Sequence, residues 1–262
     1  MTVLSSGALN GIGSWPADCQ IQVDAVSYNP GEVPDGIPGR MDWVPDPLGQ
    51  RGTVLRSTVH TYVSGSTGPR SEINQVTEPI NHASLSAVMR WYKWDMMIPG
   101  DTSGLTSDQF FVVAQIHDKP DGGDGDAWPN MVMYVSGDEL QLMLGRVDPP
   151  TRGDAASRVA ASFPLVRDRW MTIQYGTNLA VNSAGNLEWI VDGKLIHREN
   201  GHGTAFDDVA GPWHKIGTYN ITKITRSDGL PVARAYYTAL SRNSPPYAPG
   251  ALAINGFQTV MR

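Results

Sequence analysis

The sequence is short of cysteine and of charge. Its one cysteine, Cys19, excludes an intrachain disulfide framework and is more typical of a small buried hydrophobe than of a nucleophile. Charged residues make up only 18% of the chain, the net charge is −6, and no run of Lys or Arg occurs. Because nucleic-acid binding needs a concentrated basic face, we expect no nucleic-acid partner.

Long apolar runs are also missing. No stretch is long enough to span a bilayer, so no membrane insertion is expected. Residues 1–10 lack the basic start and the sustained apolar core of a secretory signal. If the protein acts outside the cell, we therefore expect a trimmed mature form, another export route or attachment to a particle such as a virion. The expected location is extracellular or virion-associated, with other virion or assembly proteins as candidate partners.

Turn residues and aromatic residues are plentiful instead. The 28 Gly and 19 Pro predict many turns between short strands. A hydrophobic fraction of 40% with eight Trp and nine Tyr suits a two-sheet core and surfaces on which sugars stack. Since all-β sandwiches commonly reach about 200–250 residues as one unit, we expect a single domain over residues 1–262. Residues 1–50 are predicted to be an irregular Gly/Pro-rich lead-in with one strand at 21–27.

Strand-like runs follow this lead-in, with turn residues between them. Asp192-Gly193 predicts a two-residue hairpin, because both positions tolerate positive φ. Short helical turns are predicted at 157–161 and 204–209. The spacing favours an all-β sandwich. Strands are predicted at residues 53–63, 70–76, 83–97, 109–117, 130–136, 140–146, 170–176, 187–191, 194–199, 213–221 and 251–260.

Three segments place polar groups on one side of a strand, because side chains two apart share a face. The polar sets are Arg70, Glu72 and Asn74 in residues 68–75, Gln115 and His117 in residues 110–118, and Lys215 and Tyr219 in residues 213–220. In the second segment the same face is predicted to carry Phe111 and Val113. In the third, Gly217 leaves room for a close neighbour.

If the three polar faces line one concave sheet, four residues suit the removal of a proton next to a carboxylate. The C5 proton of a uronic acid is weakly acidic, and the charge that builds on its carboxyl group must be stabilised. Arg70 offers a bidentate fork and Gln115 an amide donor. His117 or Tyr219 can take the C5 proton, and Tyr219 can protonate the departing glycosidic oxygen. This scheme needs no metal, and no cofactor is expected.

The same segments resemble the three signature strands of a known enzyme family. The matching residues are Arg70-Ser-Glu72, Gln115-Ile-His117 and Lys215-Ile-Gly217-Thr-Tyr219-Asn220. They are similar to the signatures of jelly-roll polysaccharide lyases of the alginate lyase, glucuronan lyase and heparin lyase I type. Residues 169–194 resemble a paired-strand segment of those proteins. In alginate lyases a third motif position is usually Arg, whereas this chain has Asn74, which weakens a specific assignment to alginate.

The resemblance implies a fold and an activity. The implied fold is a concanavalin A-like jelly-roll β-sandwich, with two antiparallel sheets and a concave groove. The implied enzyme is a polysaccharide lyase that cleaves a uronic-acid-containing polysaccharide by β-elimination, so the expected partner is an acidic polysaccharide. In the family the Arg and Gln neutralise the uronate carboxylate, and the His and Tyr act as base and acid. Carried over, these roles fall to Arg70, Gln115, His117 and Tyr219.

Further residues are predicted to bind substrate, with Glu72 orienting Arg70. These candidates are Glu72, Asn74, Lys215, Asn220, Trp128 and Arg146. The Gly/Asp-rich loop after Gln115-Ile-His117 is interpreted first as a plain flexible loop. Two alternatives are that Trp128 stacks on a sugar, or that the loop holds calcium through Asp121, Asp124 and Asp126.

A different functional class stays open beside the lyase. Arg70 and Glu72 can form a simple surface ion pair, and His117 and Tyr219 can be ordinary strand residues. The chain would then be a non-catalytic glycan-binding or structural sandwich, for instance on a phage capsid or tail. A glycoside hydrolase is disfavoured, because no pattern of paired carboxylates that would flank a scissile bond is found.

Overall fold

A computed structural model describes thirteen stretches of the chain. They are residues 19–23, 26–28, 39–61, 69–75, 89–102, 104–106, 108–117, 129–145, 157–181, 185–201, 203–206, 212–238 and 241–243. Only the backbone is described at residues 19–23, 26–28, 39–40, 74–75, 213 and 241–243.

The described strands form two antiparallel sheets. The first sheet contains, in spatial order, β10 (Ser157–Pro164), β9 (Glu139–Gly145), β8 (Met131–Ser136), β7 (Phe110–His117), β14 (Trp213–Tyr219), β5 (Arg70–Gln75), β1 (Cys19–Val23) and β2 (Val26–Tyr28). The second contains β13 (Lys194–Asn200), β12 (Asn186–Val191), β11 (Trp170–Thr177), β6 (Arg90–Met97), β15 (Ala233–Tyr237), β4 (Thr53–Val59) and β3 (Gly39–Pro45), with β16 (Ser241–Asn243) paired to β6. A 3-10 turn, Gly100–Thr102, follows β6.

The core lies between the two sheets and follows the two-residue period of the strands. On β6, Tyr92, Trp94 and Met96 face inward, and on β12 Trp189 does the same. They meet inward-facing residues of the first sheet such as Phe111. Burial of each large side chain contributes on the order of 1.5–3 kcal/mol, so this interface dominates the stability of the sandwich.

A β-bulge in β7 changes the face that the sequence predicts for its first half. The register with β8 shifts between Val112 and Ala114. As a result Phe111 and Val113 both pack in the core between the sheets, whereas Val112 lies in an apolar cluster with Tyr134 on the other face. The prediction that Phe111 and Val113 share the face of Gln115 and His117 is therefore wrong, because one extra residue reverses the alternation.

Several predicted elements differ from the structure. Residues 157–161, predicted as helical, belong to strand β10, whose Phe163 packs against the core while β9 supplies the backbone pairing. Tertiary pairing thus overrides an Ala-rich local sequence. Residues 204–206 form no helix, and 207–209 lie outside the described residues. The described part of the lead-in contains three strands rather than one, β1, β2 and β3. Strand β15 was not predicted, and 251–260 lies outside the described residues.

The predicted hairpin at Asp192-Gly193 is confirmed. β12 ends at Val191 and β13 begins at Lys194, with φ of 50° at Asp192 and 77° at Gly193. Two successive positive φ values give the turn whose twist matches that of the flanking strands. Within the described residues, no helix is long and apolar enough to cross a bilayer.

Candidate active site

The three segments that carry the predicted site residues form three adjacent strands, with β14 between β5 and β7. Tyr219 lies opposite Arg70, and Lys215 lies opposite Gln115. The register of the sheet therefore brings together groups that are far apart in the sequence.

These groups lie on the side of the first sheet that faces away from the core. Ile73 and Ile216 point into the core, so their strand neighbours Glu72 and Lys215 point the opposite way. We call this side the polar face and define it by six residues. They are Arg70, Glu72, Gln115, His117, Lys215 and Tyr219.

Glu72 lies at the centre of the polar face and has no solvent-exposed surface. Its Oε1 accepts a hydrogen bond of 2.6 Å from Nε2 of Gln115, which is itself buried. Its Oε2 lies 4.0 Å from Nη1 of Arg70. Because an ionised carboxylate only accepts hydrogen bonds, Glu72 makes the Gln115 amide present its nitrogen to β5. The amide oxygen of Gln115 is thereby turned away from Glu72.

Lys215 is almost completely buried beside this carboxylate. Burial lowers the pKa of its ammonium group, the charge of Glu72 raises that pKa, and the charge of Arg70 lowers it. Desolvation disfavours the charged form of an amine, and a nearby anion favours it. Glu72 therefore opposes the loss of the Lys215 proton.

Arg70 and Tyr219 form a stacked pair at one end of the polar face. The guanidinium carbon of Arg70 lies 4.1 Å from the centroid of the Tyr219 ring. A cation over an aromatic face at this distance is an attractive contact, and both side chains are half-buried. The contact fixes the tyrosine ring next to the arginine that is predicted to bind a carboxylate.

His117 is the last residue of β7 and lies opposite Trp213. It is two positions after Gln115 in a stretch with regular pairing to β14, so it shares the polar face. It is half-buried. Gln115 therefore lies between His117 at one end of the site and Tyr219 at the other.

The close approach of β14 to β5 requires a glycine at position 217. Its φ is 136°, and a Cβ there would lie 2.2 Å from the carbonyl oxygen of Ser71 and 2.6 Å from Cα of Glu72. The close neighbour that the sequence predicts at this glycine is therefore the backbone of β5. Any side chain at position 217 would push Glu72 away from β14.

Two residues of the second sheet form hydrogen bonds with the strands that carry the site. Ser57 Oγ lies 2.7 Å from Thr218 Oγ1 and donates to the Ser71 carbonyl at 2.7 Å. Tyr237 Oη donates to the carbonyl of Val113 at 3.1 Å, at the bulge of β7. No local sequence pattern marks a polar contact between two sheets, so these residues could not be predicted.

The remaining predicted residues divide into two groups. Asn220 is fully buried, donates through Nδ2 to the Ile224 carbonyl at 2.9 Å and accepts through Oδ1 from the Ile224 backbone N–H at 2.8 Å. Its amide thus closes the turn after β14, which is a structural contact rather than a substrate contact. Asn74 lies on β5 opposite Lys215, and only its backbone is described. Trp128, Arg146 and the aspartates at 121, 124 and 126 lie outside the described residues.

The described stretches contain no group of three His, Cys, Asp or Glu side chains that could hold a metal ion. The predicted calcium site falls on residues outside those stretches, so it stays a prediction.

Comparison with known proteins identifies the family. A family model described as polysaccharide lyase matches residues 22–236. The chain belongs to the polysaccharide lyase family. None of the curated proteins compared with this polysaccharide lyase matches it.

Solved structures confirm the predicted fold of this polysaccharide lyase. An endo-β-1,4-glucuronan lyase from the fungus Trichoderma reesei matches with a TM-score of 0.64 and 18% identity, over 81% of this chain and 90% of that one. An alginate lyase from Pseudomonas aeruginosa matches with a TM-score of 0.57 and 14% identity, over 87% and 99%. A family 7 alginate lyase in complex with its product matches with a TM-score of 0.55 and 14% identity, over 87% and 96%. At these identities the likeness shows a shared jelly-roll fold.

Proposed function

We propose that this chain cleaves a uronic-acid polysaccharide by β-elimination. The observation that supports this most directly is the stacking of Arg70 on Tyr219 beside the Glu72–Gln115 pair, on one face of three adjacent strands. Membership of the polysaccharide lyase family supports a carbon–oxygen lyase activity. The structural neighbours include enzymes named for glucuronan and for alginate, both of which are uronic-acid polymers.

The proposed reaction begins with neutralisation of the uronate carboxylate by Arg70 and Gln115. A base removes the C5 proton, and the electron pair of the C–H bond forms the C4=C5 double bond. The C4–O bond breaks, and its electron pair stays on the glycosidic oxygen, which then takes a proton from the acid. Arg70 and Gln115 accelerate the reaction because negative charge grows on the carboxyl group as the C5 proton leaves.

His117 and Tyr219 are the two candidates for proton transfer. They lie on opposite sides of Gln115 along the strands. If Gln115 binds the carboxylate of a sugar, His117 therefore lies near one end of that sugar and Tyr219 near the other. Tyr219 is proposed as the acid, and the base is whichever of the two faces the C5 proton. The two C5 epimers present that proton from opposite faces of the ring, so they distinguish the assignments.

The experiment is incubation of the purified chain with glucuronan, alginate, hyaluronan and heparin, while the ultraviolet absorbance of an unsaturated uronate is recorded. We expect product from at least one polymer and a large loss of rate in Tyr219→Phe and His117→Gln. Tyr236→Phe is the control, because Tyr236 packs on the outside of the second sheet. Activity on mannuronate-rich and guluronate-rich alginate, compared between the two site variants, assigns the base.

Glycan binding without any unsaturated product would contradict the lyase and favour the non-catalytic binding protein. The extracellular or virion-associated location stays a prediction, and its test is detection of the chain in culture supernatant or in purified particles.

A further inference from the structure

Glu72 differs from the other residues of the polar face because it has no exposed surface. A group that solvent does not reach is also out of reach of a polysaccharide. Yet Glu72 contacts Gln115 directly, lies at the limit of an ion pair with Arg70 and acts electrostatically on Lys215. Glu72 therefore acts on a bound sugar through its neighbours and not by direct contact.

We propose that Glu72 is a positioning residue, which fixes the orientation of the Gln115 amide and holds the cationic side chains of Arg70 and Lys215 at the polar face. The predicted kinetic effect rests on the proposed lyase function, whereas the predicted orientation of Gln115 does not.

The orientation of an amide matters because its two ends have opposite hydrogen-bonding character. With Glu72 ionised, the Gln115 nitrogen must face Glu72, so one N–H is used there and the second is the only one left for a substrate carboxylate. A neutral amide at position 72 can donate as well as accept, so it no longer selects one orientation of Gln115. About half of the amide rotamers would then present an oxygen where a donor is needed.

The buried position of Glu72 strengthens this control. Desolvated charges interact more strongly than exposed ones, and a buried carboxylate must have partners nearby. Strand pairing fixes Glu72 opposite Gly217, whose lack of a side chain permits the close approach. Glu72 is therefore held in place by the backbone, and it can hold Gln115 in turn.

Two substitutions separate the effect of the charge of Glu72 from the effect of its side-chain length. Glu72→Gln keeps the length of the side chain and removes its charge, whereas Glu72→Asp keeps the charge and shortens the side chain. We expect Glu72→Gln to lower kcat by about 10- to 100-fold with a change in KM below about 3-fold, because a misoriented Gln115 no longer donates to the carboxylate as negative charge grows there in the transition state. Glu72→Asp is expected to lower kcat less than Glu72→Gln does, because it still accepts hydrogen bonds only.

The matched control is Glu188→Gln. Glu188 is another fully buried glutamate, on β12 of the second sheet, where its Oε1 accepts a hydrogen bond of 2.9 Å from Arg198 Nε. Its loss should lower the melting temperature and leave kcat per folded molecule unchanged. If Glu72→Gln lowers the melting temperature with kcat within about 2-fold of the parent, its role is structural and the proposal is overturned.

A second readout does not depend on turnover. The side-chain amide protons of Gln115, assigned in a nitrogen–proton NMR spectrum by their absence in Gln115→Leu, should include one shifted downfield by its bond to Glu72. We expect this shift to disappear in Glu72→Gln and to remain in Glu188→Gln. An unchanged Gln115 signal in Glu72→Gln overturns the proposal. A chain that shows the expected shift and cleaves no polymer would support Glu72 as the anchor of Gln115 and contradict only the lyase.

Discussion

The two sheets each bury one glutamate completely, and the surroundings of these two residues differ. Glu188 on the second sheet pairs with the guanidinium of Arg198, whose side chain is 38% exposed. Glu72 on the first sheet lies among three different groups, the Gln115 amide and the side chains of Arg70 and Lys215. Each carboxylate accepts a side-chain hydrogen bond through Oε1, but the neighbours of Glu72 include the side chains that are proposed to bind substrate.

Other ion pairs of the second sheet follow the pattern of Glu188. Arg56 donates to both carboxylate oxygens of Asp42, at 2.9 and 2.6 Å, and Arg51 lies 3.0 Å from Asp95. Such pairs are partly exposed and contribute little to stability. The number of charged residues on a sheet therefore does not mark a functional surface. A buried carboxylate surrounded by several polar and cationic side chains is the more informative feature.

Replacement of Arg70 should lower kcat more than any other substitution considered, and an arginine of the second sheet provides the control. Arg70→Met keeps an unbranched chain against Tyr219 and removes the charge, so we expect kcat to fall by about 100- to 1,000-fold, the usual cost of one lost donor to a developing oxyanion. Arg56→Met breaks a bidentate pair on the second sheet and should leave kcat unchanged. Steady-state kinetics on the preferred polymer make the comparison. Equal losses of kcat in both variants would remove the distinction between the two surfaces.

Replacement of a glycine by alanine is expected to give the next largest effect on activity, and two glycines allow a comparison. Ala at Gly217 would meet the backbone of β5 at 2.2 Å, so Gly217→Ala should cost at least about 1–3 kcal/mol of unfolding free energy and most of the activity. Gly193 also has a positive φ, of 77°, but its added Cβ would meet no atom within 4 Å. Gly193→Ala should therefore cost only about 1–2 kcal/mol and no activity. Urea denaturation and initial rates test both. Full activity in Gly217→Ala would show that the separation of β5 and β14 does not control the site.

A histidine between the sheets gives an effect that depends on pH. His214 is buried among Tyr92, Trp94 and Tyr175, and neither of its ring nitrogens has a hydrogen-bond partner among the described residues. Burial lowers its pKa from 6.5 to about 3. The unfolded chain therefore binds a proton below pH 6.5 that the folded chain excludes until about pH 3.

The sign of this effect follows from proton linkage. Within that window the unfolded state binds more protons, so stability falls as the pH falls, by roughly 1.4 kcal/mol for each pH unit. His214→Phe should remove this part of the acid sensitivity, and the exposed residue His60 provides the control His60→Gln. Urea denaturation at pH 7 and pH 5 measures the difference. If His214→Phe loses as much stability as the parent between these pH values, His214 is not the group responsible.

The sequence predicts the polar face because alternation along a strand is a local property. Arg70, Gln115 and Tyr219 lie on one side of one sheet, as the two-residue period requires. The bulge at Val113 could not be predicted, because it is a feature of the pairing with β8 and its carbonyl accepts a hydrogen bond from Tyr237, 124 positions away. The main contact of Glu72 was also missed. The sequence predicts a contact with Arg70, two positions away, but the hydrogen bond of Glu72 goes to Gln115, 43 positions away.

Substitution of two neighbouring tyrosines of β15 should give the smallest difference in kcat. Tyr237 faces the first sheet and donates to the Val113 carbonyl at 3.1 Å, whereas Tyr236 packs on the outside of the second sheet. Tyr237→Phe leaves a buried carbonyl without that donor, so it should cost about 1–3 kcal/mol of unfolding free energy. Because the bulge sets the face of Gln115, kcat should fall by a few-fold as well. Tyr236→Phe should change kcat by less than the error of the measurement. Equal kcat in the two variants would mean that the bulge keeps its shape without Tyr237, and that pairing with β8 and β14 alone determines which side of the sheet Gln115 occupies.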